Sequence, residues 1–196
     1  MTTSTIAKPR IAAWSTARVL RDFSAEIERR GGAPVLHTIR WAGSGWTETP
    51  LSIRDRDGGL VLLGAGQWHQ TWRKAPGRFV EIAYLCGWDD NGLFAAAVPG
   101  TTRTVADALR ALTPAEVTRR EHVRQGDVYL VRMERAGATT PSGVVRGSHV
   151  WDAETRTLTH APADGRVHAP VTAPDEWPGV KVVEQNRHQP AFPTVD

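Results

Sequence analysis

From residue 34 onwards the apolar residues recur at every second position, in short segments separated by turns rich in glycine, proline and aspartate. This is the period of a β-strand, whose successive side chains point to opposite faces of a sheet. The turn Asp89-Asp90-Asn91-Gly92 is typical of a hairpin, because asparagine and glycine tolerate positive φ. The pattern predicts an antiparallel meander first and more β-structure later. The predicted strands span residues 35–41, 46–53, 60–63, 79–86 and 93–98, then 128–133, 144–151, 157–160, 166–168 and 180–184.

One segment ahead of these strands has the period of a helix. Leu20, Phe23 and Ile27 recur at helical spacing, Ser15 can cap the first turn, and Gly31 follows the last one. Phe23 lies at the centre of the apolar stripe. We therefore expect a helix over residues 15–30, with Phe23 packed on the strand at 35–41.

A second helical pattern marks the middle of the chain. Thr104 and Asp107 have the spacing of a helix N-terminus, and Thr113-Pro114-Ala115-Glu116 restarts the helix. We place a subdomain boundary after it, near Arg120. The sequence therefore predicts an α+β fold, in which a helix packs on an antiparallel meander in residues 1–120 and a small β-rich, barrel-like subdomain follows in residues 121–196.

The composition indicates a globular protein without a membrane span. Hydrophobic residues make up 40% of the 196 residues and charged residues 23%, which is ordinary for a packed domain. No apolar run approaches about 18 residues, and residues 1–10 lack the apolar core of a secretion signal. Cys86 is the single cysteine and lies in an apolar segment, so we expect a buried thiol and a cytoplasmic location.

Tryptophan and positive charge are concentrated in the first half of the chain. Residues 1–120 hold 16 Lys and Arg against 11 Asp and Glu, whereas residues 121–196 hold 8 against 10. Segment 64–74 begins with glycines and sets aromatic beside basic side chains, as a loop that stacks a base or a sugar does. We expect Trp68 and Trp72 to line an exposed concave surface. The predicted binding residues are Gln67, Trp68, His69, Trp72, Arg73 and Lys74, with Arg18 and Arg21 of the first helix.

Other signals in this half do not favour an enzyme. His37 falls in the apolar row of the first strand and is expected to be a packed histidine. His69 and Thr71 form one His-x-Thr element, whereas the phosphoesterases that use this element need two. Gly64-Ala65-Gly66 lacks the third glycine and the helix of a dinucleotide-binding motif. The arginines of the first helix also fit an ordinary solvated face.

Three late histidines can form a row across neighbouring strands. If residues 153–156 form a four-residue loop, His149 lies opposite His160 on the same face. If the next turn has three residues, His160 also pairs with His168, whereas a two-residue turn points His160 to the other face. In the complete row the imidazoles can converge on one zinc ion, or act in acid–base catalysis near Asp127. Unconnected surface histidines are the alternative.

A further set of residues recurs in a recognisable order between residues 124 and 196. The residues are Gly126-Asp127-Val128, His149, His160, Gln185 and Pro190. In this order they resemble a group of small proteins of phages and bacterial mobile elements, whose pattern runs Arg-x-Gly-Asp-Val, Gly-His-x-His, His-x-Glu-His and Gln-Arg-Glu-Tyr-x-Pro. The chain departs from that pattern at Trp151, Ala163 and Asn186-Arg187-His188. The resemblance implies an accessory protein of a mobile element or an actinobacterium and implies no particular activity.

Two hypotheses for the function follow from these features. In the first, a binding or accessory module contacts single-stranded nucleic acid or an acidic protein through its basic, tryptophan-rich surface. In the second, a histidine-based enzyme, with or without a metal, uses His149, His160 and His168. A purely structural or assembly role is the third possibility. The sequence indicates no cofactor, substrate or oligomeric state.

Overall fold

The computed structural model describes residues 11–41, 43, 45–89, 92–125, 127–145, 149–160 and 169–185. These residues fall into two compact units, 11–111 and 112–185. Helices and antiparallel sheets together form the α+β fold that the sequence predicted. No helix among the described residues is long and apolar enough to cross a membrane. In chain order the elements are α1 (Thr16–Arg29), β1 (Val35–Ile39), β2 (Trp46–Pro50), β3 (Ser52–Asp57), β4 (Leu60–His69), β5 (Arg78–Asp89), β6 (Gly92–Val98), α2 (Val105–Leu112), α3 (Ala115–Thr118), β7 (His122–Gln125), β8 (Val128–Met133), β9 (Gly143–Val144), β10 (His149–Asp152), β11 (Thr157–His160), β12 (Val171–Thr172) and β13 (Gly179–Glu184).

Helix α1 begins and ends where the sequence predicted. The Ser15 hydroxyl accepts the N–H of Arg18 at 3.3 Å, which satisfies one of the unpaired donors of the first turn. Arg30 closes the helix, and Gly31 follows at a φ of +80°, a conformation that glycine adopts without strain. The buried side of α1 includes Phe23, which is fully enclosed, and Ile27.

The strands of the first unit form two sheets instead of the one antiparallel meander that we expected. β1 and β2 pair with each other, and β3-β4-β5-β6 form a separate four-stranded sheet in that order. The predicted strand at 46–53 is in fact two strands, because the chain passes from one sheet to the other near Leu51. Leu51 is buried and belongs to the core that both sheets share.

The segment that we expected to be a glycine-led loop is largely strand. β4 continues through Gly64 and Gly66 to His69, so that residues 64–69 belong to the sheet. The glycines are tolerated there because other side chains fill the space above them. A Cβ built on Gly64 would stand 2.2 Å from Nε of Arg54, and one built on Gly66 would stand 2.8 Å from Cε1 of Phe79.

The two faces of the four-stranded sheet have different partners. The face with Val61, Leu63 and Ala65 of β4 packs against α1, in a core that includes Phe23 and Leu36. The even-numbered residues of β4 point to the opposite face, since side chains alternate along a strand. On that face the Asp55 carboxylate accepts the N–H of Val105 at 2.8 Å, so α2 begins against it.

β1 presents the opposite face to the core from the one that we predicted. Leu36 and Thr38 are buried, whereas the side chain of His37 is 53% exposed and lies 3.6 Å from the Glu48 carboxylate. The packed histidine expected at position 37 is therefore wrong. Both faces of this strand carry apolar residues, so the contact of Leu36 with the core decides which face is buried.

Cys86 lies in the core beneath α1 and is fully buried. Its thiol contacts the backbone carbonyl of Tyr84 at 3.8 Å. Burial raises the pKa of the Cys86 thiol far above its ordinary value, which keeps the sulfur protonated and unreactive. The buried thiol expected from the sequence is present.

Residues 112–185 contain two antiparallel sheets that pack through one core. The strand orders are β13-β8-β7 and β12-β11-β10-β9. Leu130 of β8 meets Trp151 of β10 and Leu158 of β11 in this core, and the Trp151 indole donates to the Thr140 carbonyl at 2.8 Å. This is the β-rich region that the sequence predicted. The short strands β7 and β12 were not predicted. The predicted strand at 144–151 falls on two strands, β9 and β10, which pair with each other. The predicted strand at 166–168 lies outside the described residues.

Candidate functional site

Two aromatic side chains stand side by side at one end of the four-stranded sheet. Trp68 of β4 pairs directly with Phe79 of β5, so both point to the face opposite α1. Residues paired in this way have Cβ atoms about 4.5–5.5 Å apart. Trp68 is 52% exposed and Phe79 is 58% exposed. We call these two residues the aromatic pair.

Glycines beneath the aromatic pair let both rings approach the backbone. A Cβ built on Gly77 would stand 2.2 Å from Nε1 of Trp68, and one built on Gly66 would stand 2.8 Å from Cε1 of Phe79. Each ring therefore occupies space that a larger residue would fill. Rings that lie against the backbone while half of their surface meets solvent offer a flat surface for stacking.

An ion-paired cluster borders Phe79 on the same face. Glu81 lies two residues along β5, and its Cγ is 3.2 Å from the same built Cβ of Gly66. Its carboxylate accepts from Nη2 of Arg54 at 3.2 Å and from Nη2 of Arg103 at 2.6 Å. The side chains of Arg54 and Glu81 are 13% and 11% exposed, whereas that of Arg103 is 55% exposed. The aromatic pair therefore has one solvated guanidinium at its border.

The connection between β4 and β5 adds more charge and another ring. Trp72 is 67% exposed, and Arg73, Lys74 and Arg78 are exposed too. The Gln70 amide donates to two backbone carbonyls within the connection and holds its turn together. The exposure predicted for Trp68 and Trp72 is therefore confirmed.

Two of the predicted binding residues hold strands together instead. His69 is 6% exposed, and its Nδ1 accepts the N–H of Ile39 at 3.3 Å, which joins β4 to β1. Gln67 is half-buried and accepts a hydrogen bond from the Thr49 hydroxyl of β2. Both side chains point to the α1 face of the sheet, because they occupy odd-numbered positions of β4. Neither shares a face with the aromatic pair.

The predicted binding arginines of α1 also lie on the other face. The Arg18 guanidinium is 4.0 Å from the centroid of the Trp14 ring, and both Arg18 and Arg21 bond to Asp22. Their side chains remain 51% and 75% exposed. Since α1 covers the face opposite Trp68, the two predicted sets of binding residues do not form one surface.

Sequence reasoning missed Phe79 and Arg103 as members of this site. Phe79 was interpreted only as the first residue of an apolar strand. It joins the site through its pairing with Trp68, and the connection at 70–77 is too long for its turn type to fix that register. Arg103 comes from beyond β6, so only the tertiary structure brings it to Glu81.

A second polar cluster lies in residues 112–185. β10 and β11 pair in the register predicted from a four-residue loop, with His149 opposite His160. Both histidines are buried, and their rings stack with centroids 3.9 Å apart and planes within 3°. The prediction that these two histidines share one face is confirmed.

The stacked rings do not suit a shared metal ion in this arrangement. A bound metal lies close to the plane of each coordinating imidazole, and two parallel planes have no point in common. Within the described part of the chain, no group of three or more His, Cys, Asp or Glu could hold a metal. His168 lies outside that part, so the three-histidine row stays a prediction. Asp127, the predicted catalytic carboxylate, is half-buried, and its backbone carbonyl accepts the N–H of Gln185 at 2.7 Å.

A buried amide of β7, in the other sheet of this unit, bonds to the segment that leads into β12. Nε2 of Gln125 donates to the Ala169 carbonyl at 2.6 Å, while its Oε1 has no hydrogen-bond partner among the described residues. Ala169 precedes Val171 by two residues, and Val171 pairs with Leu158, which precedes His160 by two residues. The bond to Ala169 therefore places Gln125 near the histidine end of β11.

Comparisons of this chain with protein-family models, with curated proteins and with solved structures found no match. The geometry of the two clusters is therefore the basis for inferring a function.

Proposed function

We propose that this protein binds single-stranded nucleic acid through the aromatic pair and the basic side chains around it. The observation that carries the proposal is the direct pairing of Trp68 with Phe79, two half-exposed rings that lie over glycines on one sheet face. Stacking of a base on an aromatic side chain contributes about 1–3 kcal/mol per base, and every base offers a π-face for it.

The exposure of both rings on one sheet face favours unpaired bases over a duplex. In a duplex the faces of each base are covered by its stacked neighbours, so a ring on a sheet cannot reach them without unstacking the helix. Two adjacent rings suit two consecutive bases of a single strand. We therefore expect a single strand to bind more tightly than a duplex of the same sequence.

The charge around the aromatic pair suits a phosphate backbone. Glu81, the acidic residue next to Phe79, has Arg54 and Arg103 as partners, so its charge is compensated locally. The exposed basic side chains around the aromatic pair are Arg73 and Lys74 of the connection and Arg103. Binding through such contacts releases counterions, and the affinity is expected to fall as salt rises.

Fluorescence anisotropy with a labelled single-stranded oligonucleotide tests the proposal. We expect binding at about 50 mM salt, where phosphate contacts are strongest, and a linear loss of log affinity with log salt. A lack of binding at that salt contradicts the proposal. If an acidic polypeptide such as polyglutamate binds while the oligonucleotide does not, the surface is assigned to an acidic protein partner instead.

Replacement of the aromatic pair tests which residues are responsible. The double variant Trp68→Ala/Phe79→Ala is expected to lose at least about tenfold in affinity, because two stacking contacts are removed. Val144→Ala is the matched control, since Val144 is an exposed apolar residue, at 74%, in the other unit. Equal losses in both proteins would contradict the assignment of the site.

The buried stack of His149 on His160 supports a second candidate, a histidine-based enzyme of residues 112–185. Two stacked, buried imidazoles are unusual for an interior that only needs to pack, as is the Gln125 amide, whose Oε1 has no hydrogen-bond partner among the described residues. Elemental analysis of tag-free protein tests the metal-dependent form of this candidate. About one equivalent of a transition metal per chain supports it, and a metal content near zero contradicts that form.

A further inference from the structure

We propose, on the basis of the proposed function, that Glu81 is a positioning residue, which holds the Arg103 guanidinium beside Phe79 as a phosphate contact. An acidic side chain next to a nucleic-acid surface ordinarily weakens binding by repulsion. Here the geometry assigns Glu81 the opposite effect, since it orients a cation.

Glu81 is held in place by Arg54. Nη1 of Arg54 donates to the backbone carbonyls of Gly100 and Thr102, and its Nη2 donates to the Ala65 carbonyl at 3.2 Å as well as to Glu81. This buried guanidinium therefore ties β4 and β5 to the segment that follows β6. Burial, and then the charge of Arg103, lower the pKa of Arg54, so the Glu81 carboxylate compensates two crowded cations.

Arg103 is oriented on one side and open on the other. Its Nη2 donates to Glu81 at 2.6 Å, and its Nη1 donates to the Gly100 and Thr102 carbonyls at 3.1 and 3.4 Å. A guanidinium has five N–H donors, so part of the fork stays available for a phosphate, and the side chain is 55% exposed. A guanidinium whose direction is already fixed loses less entropy when it binds.

Arg103 lies close to the stacking position on Phe79, because it pairs with Glu81. Glu81 and Phe79 both contact the space above Gly66, so a base stacked on Phe79 carries its phosphates past the Glu81–Arg103 pair. The site therefore combines one stacking position with one fixed cation. Arg73 and Lys74, which are also exposed, form no ion pair with a carboxylate among the described residues and serve as general positive charge.

Whether Glu81→Gln weakens or strengthens binding distinguishes a positioning role of Glu81 from simple charge repulsion. We measure binding of a labelled oligo-dT by the full chain and by Glu81→Gln, Arg103→Ala and the double variant, over a range of salt. If Glu81 positions Arg103, Glu81→Gln weakens binding by about threefold or more, although it removes a negative charge. In the Arg103→Ala background the same change is expected to leave the affinity unchanged or to increase it. Arg103→Ala is expected to reduce the salt slope by about 0.7, the value for one phosphate contact on a single strand.

Tighter binding by Glu81→Gln, or an equal loss with and without Arg103, overturns the inference. Glu81→Gln also removes the carboxylate partner of Arg54, which can destabilise the fold. A second variant, Arg103→Lys, leaves the Arg54–Glu81 pair in place and tests the inference independently. Arg103→Lys keeps the charge but not the fork, so we expect it to keep the salt slope and lose most of the affinity that Arg103→Ala loses. If Arg103→Lys binds with wild-type affinity, the inference about Glu81 fails but the proposed function stands. If the wild-type chain does not bind oligo-dT, both the proposed function and the inference fail. Arg110→Ala, an exposed arginine paired with Asp107 on α2, is the matched control for charge loss.

Discussion

Phe23 shows at the residue scale how one side chain couples the helix to the sheet. It is fully buried, packs at 6.1 Å between ring centroids against Trp14, and belongs to the same core as Leu36 and Val61. Its place at the centre of the apolar stripe could be predicted from spacing alone. That it also contacts a ring at the start of the helix required the structure.

We predict that Phe23→Ala destabilises the protein by about 3–5 kcal/mol, because the removed ring leaves a cavity beneath α1. Denaturant unfolding followed by circular dichroism measures the loss. Phe23→Leu, which keeps most of the volume, is the control and is expected to cost much less. A thermal midpoint within about two degrees of the parent for Phe23→Ala would show that α1 is not docked as described.

Glu26 is a charged residue that the helix buries. Its side chain is 9% exposed, and its two carboxylate oxygens accept hydrogen bonds from Arg29 and Arg30. The hydrogen bond from Arg29 is the largest cause that holds the pKa of Glu26 below its ordinary value near 4.5, although burial opposes it. Because the pKa of the folded state is lowered, the stabilisation is complete above the unfolded value and is lost as the pH falls through the folded one.

We therefore predict that Glu26→Gln lowers the free energy of unfolding at pH 7 by about 1 kcal/mol, since it removes charge-assisted hydrogen bonds. The difference between variant and parent is expected to narrow as the pH falls below the ordinary pKa near 4.5 and through the lowered pKa of the folded state. Urea unfolding at pH 7 and pH 3 measures this. A difference that stays constant over this range, or a similar effect for the exposed residue Glu28 changed to Gln, would rule out the ion pair as the cause.

At the scale of elements, the hairpin of β4 and β5 creates the stacking surface by combining glycine and aromatic positions. Trp68 lies over Gly77, which is outside the strand, and Phe79 lies over Gly66 in the neighbouring strand. Each ring is thus supported by a part of the hairpin distant from it in sequence. The surface depends on the register of the pair as a whole.

We predict that Gly77→Ala lifts the Trp68 ring from the hairpin while the fold is retained, because the new Cβ would stand 2.2 Å from Nε1 of an exposed side chain that can move. Affinity for a single-stranded oligonucleotide is expected to fall by about fivefold to tenfold, the lower range for one stacking contact. Anisotropy titration measures the affinity, and circular dichroism checks the fold. Gly59→Ala, where a Cβ meets nothing within 4 Å, is the control. Unchanged affinity for Gly77→Ala would contradict the role of the ring.

The hairpin of β10 and β11 shows which registers a sequence can define. Residues 153–156 form a short turn, and Arg156 adopts a φ of +56°. A short turn leaves few ways to pair the flanking strands, so the alignment of His149 with His160 could be predicted. The orientation of the two imidazole rings could not be predicted, since it depends on the side chains that pack around His149 and His160.

At the scale of the whole molecule, the tryptophans divide between core and surface. Trp14, Trp151 and Trp177 are buried, whereas Trp46, Trp68 and Trp72 are at least half exposed. The three exposed ones all lie in the unit formed by residues 11–111. The aromatic excess therefore serves packing in both units and a surface in one of them.

Because some tryptophans are buried and others are exposed, we predict that the quenching of tryptophan fluorescence is biphasic. Acrylamide is expected to quench a readily accessible fraction of the tryptophan fluorescence and to reach the remainder much more slowly. A saturating single-stranded oligonucleotide should protect part of the accessible fraction, because stacked bases cover Trp68. In Trp68→Leu this protection is expected to be clearly smaller. Equal protection in Trp68→Leu and in the parent would place the bound strand elsewhere.

The sequence by itself determined the properties that depend on neighbours along the chain. The ends of α1, most strands, the α+β class, the buried thiol of Cys86 and the short β10–β11 hairpin all follow from period, capping and turn chemistry. Trp68 and Trp72 are exposed as predicted, although Trp68 lies in strand β4 and not in the loop that we expected.

Only the tertiary structure decided which faces are buried and which residues meet. The sequence could not show which face of β1 is buried, and therefore whether His37 is buried, because both faces carry apolar residues. Contacts with the core decide this. His69 and Gln67 lie on the face opposite the aromatic pair because one position along a strand reverses the direction of a side chain. The arginines of α1 lie on that side because α1 packs there. Phe79 and Arg103 joined the site through pairings across long connections, whose length leaves the register and the partner to be fixed by packing.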